Sequence, residues 1–357
     1  MAKLKVGIIG CGGIATQKHL PSMQQTELAD AVAFCDIVLE KAESAAKTFG
    51  EPNSKVFKDY RDLLKLDLDA VYVCTPNRSH SEIAVAALES KKHVMCEKPM
   101  AINYAEALKM AEAAKRNGKL LTIGYQNRYR SDTQFLKKEC AAGVLGEIYY
   151  AKARSIRRRA VPTWGVFLNE YEQGGGPLID VGTHSLDLAL WMMDNYTPKS
   201  VTGVAFHKLN DQTEPANAWG AWDPKQFTVE DSAFGFIIME NGAAIQLETS
   251  WALNSLEIGE PLTLLCGTKG GADMFDGLRI NGVKHDRQYE FRPDFGAKGV
   301  DFYDGDTASP QFREQLAFLG AVRGENELVV LPEQAMAVTR ILDAVYESAR
   351  IGKQVVF

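Results

Sequence analysis

KVGIIGCGGIA, Lys5 to Ala15, is the stretch on which the fold turns. An apolar run, Val6 to Ile9, stops at Gly10, and Gly10, Gly12 and Ala15 then fall in the spacing G-x-G-x-x-A ahead of a helix-like segment. In that setting Gly10 makes a tight turn, Gly12 lets the backbone approach a pyrophosphate, and Ala15 lets helix and strand pack closely. Gly13 and Ile14 complete the turn. Phosphates would rest on free N–H groups at a helix N-terminus, where the helix dipole favours anions.

The same grammar continues outward to about Gly124. The runs AVAFCD, AVYVCTP, HVMCEKP and LLTIGY alternate with segments rich in Ala, Leu, Glu and Lys at helical spacing. Strands separated by helices predict a doubly wound parallel sheet. Two of the helical segments end in glycine, Gly50 and Gly118, as C-caps would. Asp36 closes AVAFCD 21 residues beyond Ala15, where a carboxylate accepts hydrogen bonds from the adenosine ribose hydroxyls and repels a 2′-phosphate. Ile37 follows where an arginine would serve that phosphate, so NAD is expected in preference to NADP.

Beyond Gln126 the pattern changes to a helix over 131–142, a strand over 147–155, a glycine-rich turn, a helix over 179–193 and then mostly strands. VEDSAFGFIIME, GAAIQLETSWA and PLTLLCGTKGGADM read as antiparallel strands, with Asn241-Gly242 the clearest hairpin signal. PQFREQLAFLGAVRG and PEQAMAVTRILDAVYESARIG close the chain as helices opened by proline and ended by glycine. The expected organisation is therefore α/β plus α+β. A nucleotide-binding domain spans 1–126 and an α+β domain on a large, mainly antiparallel sheet spans 127–357, with the last helices able to pack back on the first domain.

Bulk properties narrow the function. The 357 residues are 46% hydrophobic and carry a net charge of −6, so no basic excess exists of the kind that neutralises phosphates in a nucleic-acid or acidic-membrane partner. Charges interrupt every apolar run, so no membrane span is expected and the start is not a signal peptide. The six cysteines show neither C-x-x-C pairing nor zinc-like spacing, which reads as reduced thiols in a cytoplasmic protein. Cys96, beside Glu97 and Lys98, could instead be a reactive thiol.

Two groups carry candidate chemistry. Glu97-Lys98-Pro99 ends the strand HVMC, and ligands of open α/β sheets bind at such strand ends. In GGGPLIDVGTHSLD, Asp180 and His184 stand four residues apart near a helix start, hence on one face. An imidazole paired with a carboxylate accepts an alcohol proton while the carboxylate steadies the imidazolium. The same residues could be a surface lysine and a core histidine, and the three glycines before Asp180 suggest a backbone packed tightly against something, a ligand among the choices. The other histidines form no cluster with Asp180, His184 and Asp187, so no metal is expected.

These motifs together, G-x-G-x-x-A, the strand-ending aspartate, E-K-P, and D-x-x-x-H after a glycine run, resemble the Gfo/Idh/MocA oxidoreductase family over nearly the whole chain. The stretch RRRAVPTWGVF looks most like the branch acting on inositols, glucosides and anhydrosugars. The resemblance implies a Rossmann domain followed by an open sheet that serves substrate and pairs subunits into a homodimer or homotetramer. It implies catalytic roles for Lys98, Asp180 and His184. It places Thr75, Pro76, Asn77 and His80 along the cofactor, Glu97 and Gln126 at its nicotinamide side, and Arg128 at substrate oxygens.

The implied reaction is NAD-dependent hydride transfer from a secondary hydroxyl carbon of a sugar, glycoside, anhydrosugar or inositol. The alternatives are a redox-assisted glycosidase and a nucleotide-binding sensor without catalysis. Arg158, within the run Arg157 to Arg159, and Trp164 are further substrate candidates, because an indole stacks on a pyranose and arginine binds its hydroxyls. A solvated strand edge is the plainer reading of the arginines. Ala160 and Thr163 stand where many relatives carry glycine, which leaves the shape of this loop open.

Overall fold

The computed structural model describes residues 2–214, 216–295 and 308–357. The parts of both expected domains at Met1, Pro215 and 296–307 lie outside the described residues. The chain divides into two compact units, Met1–Tyr129 with Ala308–Met336, and Arg130–Thr307 with Ala337–Phe357.

The first unit is built on six strands, β1 (Leu4–Ile9), β2 (Ala29–Cys35), β3 (Lys55–Phe57), β4 (Ala70–Val73), β5 (His93–Cys96) and β6 (Leu121–Ile123). They pair in parallel in the order β3-β2-β1-β4-β5-β6, so the direction of progression reverses between β1 and β4. That reversal opens a crevice at the carboxyl ends of the strands. Its helices are α1 (Leu20–Gln24), α2 (Leu39–Phe49), α3 (Tyr60–Leu63), α4 (His80–Glu89) and α5 (Tyr104–Asn117). Burial of every residue of β4 explains the unbroken apolar run AVYV, since helices cover both faces of a parallel sheet.

Local chemistry ends the elements as expected at α5, where Asn103 accepts from the Glu106 N–H and Gly118 takes the left-handed C-cap at φ 59°. Gly50 differs. Its φ of −85° is ordinary, and a side chain there would lie 2.6 Å from the Ala46 carbonyl, so close packing rather than a left-handed turn selects glycine. β3, three residues long, gives too short a pattern to read from sequence.

The second unit contains α6 (Ser131–Ala141), β7 (Ile148–Ile156), α7 (Glu170–Gln173), α8 (Thr183–Met193), β8 (Pro198–Phe206), β9 (Ser232–Met239), β10 (Ala244–Ser250), β11 (Gly259–Gly267), β12 (Gly270–Asp273), β13 (Arg279–Lys284), β14 (Arg287–Phe291) and β15 (Val355–Val356). The nine strands form one sheet in the order β14-β13-β12-β11-β7-β10-β9-β8-β15. All pairs are antiparallel except β7 with β10. The Asn241-Gly242 turn joins β9 to β10 with Gly242 at φ 88°. The closing helices are α9 (Pro310–Val322) and α10 (Pro332–Ile351), the first opened by a Ser309 side chain that accepts from the Phe312 N–H.

Where a regular helix is expected over 179–193, the chain makes a π-helical turn at Leu178–Gly182 before α8 begins. Two carboxylate bonds hold this entry. Glu230 accepts from the Gly176 N–H through Oε2 at 2.8 Å and from the Leu178 N–H through Oε1 at 3.0 Å, and Tyr346 donates its hydroxyl to Oε1 at 2.9 Å. Gly175 and Gly176 are thereby packed tightly against protein, as the glycine run suggests. A side chain on Gly175 would lie 2.0 Å from the Tyr346 hydroxyl, and one on Gly176 2.3 Å from the Glu230 carbonyl.

Candidate active site

The first unit gathers its candidate residues at the carboxyl ends of β1, β2, β4 and β5, on both sides of the crevice. Gly10 turns the chain at φ 89°, and a side chain there would stand 2.5 Å from the Cys74 carbonyl, so β1 and β4 exits are in backbone contact. Gly12, two residues on, has no atom within 4 Å of where its side chain would be. Ala15 is fully buried and begins a second π-helical turn, Ala15–His19. Gly13 and Ile14 remain at the exposed rim. Asp36 fastens the turn: its carboxylate accepts from the Cys11 N–H at 2.9 Å and the Val38 N–H at 2.9 Å. Ile37 beside it is 82% exposed.

Across the crevice, the Thr75-Pro76-Asn77 loop follows β4. The hydroxyl of Thr75 is buried and has no hydrogen-bond partner within the protein. An orphaned hydroxyl of this kind costs about 1–3 kcal/mol unless a ligand answers it. Together with the open space at Gly12, it fits a dinucleotide laid across the strand ends. Gly10, Gly12, Gly13 and Ile14 would hold its pyrophosphate, Asp36 and Ile37 its adenosine side, and the 75–77 loop its other half.

His80 departs from expectation. It is fully buried, and its two ring nitrogens lie 2.8 Å from the carbonyls of Pro99 and Thr75. As a neutral ring it donates one N–H to one of these carbonyls, and from its buried place it ties the 75–77 loop to the E-K-P segment. Burial lowers its pKa from the ordinary range, against the pull of those two carbonyls.

Glu97 is buried and accepts from the Lys98 N–H at 3.0 Å through Oε2 and from His19 Nε2 at 2.6 Å through Oε1. Burial pushes its pKa up, but the His19 hydrogen bond and the positive charge of Lys98 outweigh this and hold it below the ordinary carboxylate range. The network extends inward. Tyr72 donates its hydroxyl to Gln315 Oε1 at 2.6 Å, and Gln315 Nε2 donates to His19 Nδ1 at 2.9 Å. Tyr72, Gln315, His19 and Glu97 thus form one hydrogen-bonded chain. Glu314, next to Gln315, is buried with Oε1 unpartnered, and burial followed by the charge of Glu97 raises its pKa well above the ordinary range. None of His19, Tyr72, Glu314 or Gln315 is distinguishable in the sequence from a residue of an ordinary helix or strand.

One further expectation changes, at Arg128, and one alternative, a reactive Cys96, falls away. Arg128 is fully buried and donates to the Val329 carbonyl at 2.9 Å and to Gln334 Oε1 at 2.6 Å, so it braces the first unit instead of reaching substrate. Cys96 is inaccessible, and burial raises its thiol pKa well above the ordinary range, which removes it as a nucleophile. Gln126 opens the 3-10 turn Gln126–Tyr129, half-buried.

In the second unit Asp180 lies within the π turn and His184 in the first turn of α8, exposed by 8% and 9%. Trp251, fully buried, donates its indole N–H to Asp180 Oδ2 at 3.0 Å. This donor arrives from the end of β10 and is not foreseeable from the D-x-x-x-H spacing. Trp164 is 51% exposed and Arg158 is exposed. Arg157 and Arg159 are engaged, the first with Glu260 at 2.6 Å and the second with Asn254 at 2.7 Å. Among the described residues no group of three or more His, Cys, Asp or Glu side chains is gathered that could hold a metal ion. No described helix is long and apolar enough to cross a membrane.

A glycine turn at the switch point of a doubly wound sheet, with a lysine at a neighbouring strand end, defines an NAD-binding oxidoreductase. Residues 4–125 match the oxidoreductase family with an NAD-binding Rossmann fold, and residues 133–273 match the GFO/IDH/MocA C-terminal domain. The chain belongs to the Gfo/Idh/MocA oxidoreductase family. It is 37% identical to D-glucoside 3-dehydrogenase of Escherichia coli (strain K12) over 353 residues, 99% of this chain and 97% of that protein. It is 32% identical to glucose-6-phosphate 3-dehydrogenase of Bacillus subtilis (strain 168) over 69% of this chain and 67% of the relative. In fold it resembles levoglucosan dehydrogenase solved with NADH and L-sorbose, with a TM-score of 0.83 at 22% identity over 100% of this chain and 99% of the other.

Proposed function

We propose that the protein oxidises a secondary hydroxyl of a glucoside, at the third carbon of the glucosyl ring, with NAD. The observation that carries this reading is the full-length 37% identity to a D-glucoside 3-dehydrogenase. Bound NAD supplies the hydride acceptor, the nicotinamide ring. His184 takes the hydroxyl proton as the carbon hydrogen leaves as hydride, so an alcohol becomes a ketone. Lys98 polarises the same oxygen and steadies the negative charge that grows on it. Asp180 orients His184 and accepts from a neighbouring sugar hydroxyl. Thr75, Asn77, Glu97 and Gln126 serve the nicotinamide half of the cofactor. The enzyme works in the cytoplasm as a homodimer or homotetramer paired through the second unit's sheet, where Val204, Phe206 and Phe236 are exposed.

Absorbance of NADH, followed with glucosides, inositols, anhydrosugars and sugar phosphates and with NAD and NADP in parallel, tests the reading. NADH is expected in proportion to glucoside turned over. Lys98→Ala and His184→Ala are each expected to cut turnover by roughly 10²–10⁴-fold. Near-normal turnover in either variant would remove that residue from the chemistry, and no turnover of any glucoside by the native enzyme would overturn the substrate class.

A further inference from the structure

Two loops of the second unit build a rigid aromatic corner. The segment after β7 is fastened to the loop that carries Trp219 by four bonds: Ala218 N–H to the Arg159 carbonyl at 3.0 Å, Val161 N–H to Asn217 Oδ1 at 2.8 Å, Asn217 Nδ2 to the Val161 carbonyl at 2.9 Å, and the Thr163 hydroxyl to the Trp219 carbonyl at 2.6 Å. Trp222 anchors the same loop, nearly buried, with its indole N–H on the Asn210 carbonyl at 2.9 Å. This fastening sets Trp164 and Trp219 at right angles, 4.9 Å between ring centroids and 80° between planes. They stay 51% and 44% exposed, so the backbone bonds hold two large indoles open to solvent instead of letting them fold away.

The corner is joined to the proposed reaction centre by an unbroken aromatic row. Trp164 meets Phe167 at 5.8 Å, Phe167 meets Trp251 at 6.4 Å, and Trp251 donates to Asp180. Trp251, fully buried, is therefore the indole bonded to Asp180, and Trp164 stands two ring contacts further along, open to solvent. The corner's edge is polar. The guanidinium of Arg157, held by Glu260 at 2.6 Å, lies 5.3 Å from the Trp219 ring centre, and Arg158, next to it in the chain, is exposed. A pyranose matches that mixture: its C–H face stacks on an indole while its rim hydroxyls accept from arginine. A purely aromatic group would use the indoles alone.

We propose that the Trp164–Trp219 corner is a second sugar subsite, which binds the pyranose on the far side of the glycosidic bond while the ring being oxidised lies at Asp180. The proposal rests on the reading of the protein as a glucoside dehydrogenase, and it narrows the substrate to glucosyl disaccharides over simple glucosides and free monosaccharides. Trp219 becomes a specificity-determining residue and Trp164 moves from the reacting ring to its neighbour.

The test compares kcat/KM for glucosyl disaccharides of differing linkage with that for methyl glucoside, in the native enzyme and in Trp219→Ala, Trp219→Phe and Trp164→Ala. The native enzyme is expected to prefer at least one disaccharide about tenfold. That preference is expected to fall about tenfold in both alanine variants through KM, and Trp219→Phe is expected to restore part of it. An unchanged preference in both alanine variants would overturn the proposal. So would a variant that changes subunit number while the preference stays, which would make the corner a subunit contact. Should no glucoside be oxidised at all, quenching of tryptophan fluorescence by the same disaccharides separates the two ideas. Quenching lost in Trp219→Ala would keep the subsite while the dehydrogenase reading falls, and no quenching in the native protein would remove the subsite as well.

Discussion

Gly10→Ala and Gly12→Ala are expected to fail in opposite ways, although the two glycines are two residues apart. At Gly10 a new Cβ would meet the Cys74 carbonyl at 2.5 Å and its carbon at 2.6 Å, backbone atoms that cannot swing aside. The φ of 89° adds a left-handed penalty of about 1–2 kcal/mol before any clash is counted. Relief requires β1 and β4 to separate at their ends, so the total loss is expected to be about 3 kcal/mol or more. At Gly12 nothing stands within 4 Å, and the variant without cofactor is expected to be as stable as the native protein. The added methyl would instead occupy the open space through which, in the proposed site, the pyrophosphate reaches the backbone. A loss of about 2 kcal/mol there corresponds to roughly thirtyfold weaker NAD binding. Thermal unfolding with and without NAD, together with calorimetric titration of NAD, reads both effects. Native NAD affinity in Gly12→Ala, or an unshifted melting temperature in Gly10→Ala, would refute the assignment of contact at one glycine and open approach at the other.

His19→Ala removes the 2.6 Å donor from buried Glu97 and is expected to cost about 3 kcal/mol at pH 7.5 by urea unfolding. Because the folded-state pKa of Glu97 is depressed, this stabilisation is present above the ordinary carboxylate value and is lost as pH falls through the folded value. The difference between variant and native protein should therefore shrink as pH falls below the ordinary carboxylate value, and a pH-independent difference would contradict the network. Glu230 has the opposite sign. Burial, the largest influence, pushes its pKa up to about 7 against the hydrogen bonds from Leu178, Gly176 and Tyr346. It binds a proton in the folded state that the unfolded chain has released, so its contribution to stability falls by roughly 3 kcal/mol as pH rises from 4.5 to 7. Unfolding free energies of Glu230→Gln over that range should lack this slope. Trp251→Phe withdraws the donor to Asp180 and is expected to lower kcat about tenfold with little change in NAD affinity, measured by steady-state kinetics and titration. Equal losses in both quantities would show general damage to the fold instead.

The sequence by itself determined the class of the fold and the chemistry of the cofactor. G-x-G-x-x-A is legible because a phosphate-binding turn needs residues without side chains at set positions. Buried parallel strands are legible because both of their faces must be apolar, as at AVYV in β4. Lys98 and the pair Asp180 and His184 are visible because they stand in short motifs at element ends. What only the tertiary structure decided lies in contacts between residues far apart in the chain. His19, Glu97 and Gln315 form one chain of hydrogen bonds across 296 residues, and Trp251 finds Asp180 across 71. No local spacing encodes such pairings, since each side chain's environment is supplied by other elements. For the same reason His80 and Arg128, read as ligands of cofactor and substrate, turn out to hold backbone carbonyls in the interior. Within the glycine turn at Lys5 to Ala15, the structure sets Gly10, where the protein itself fills the space, apart from Gly12, where the space stays open.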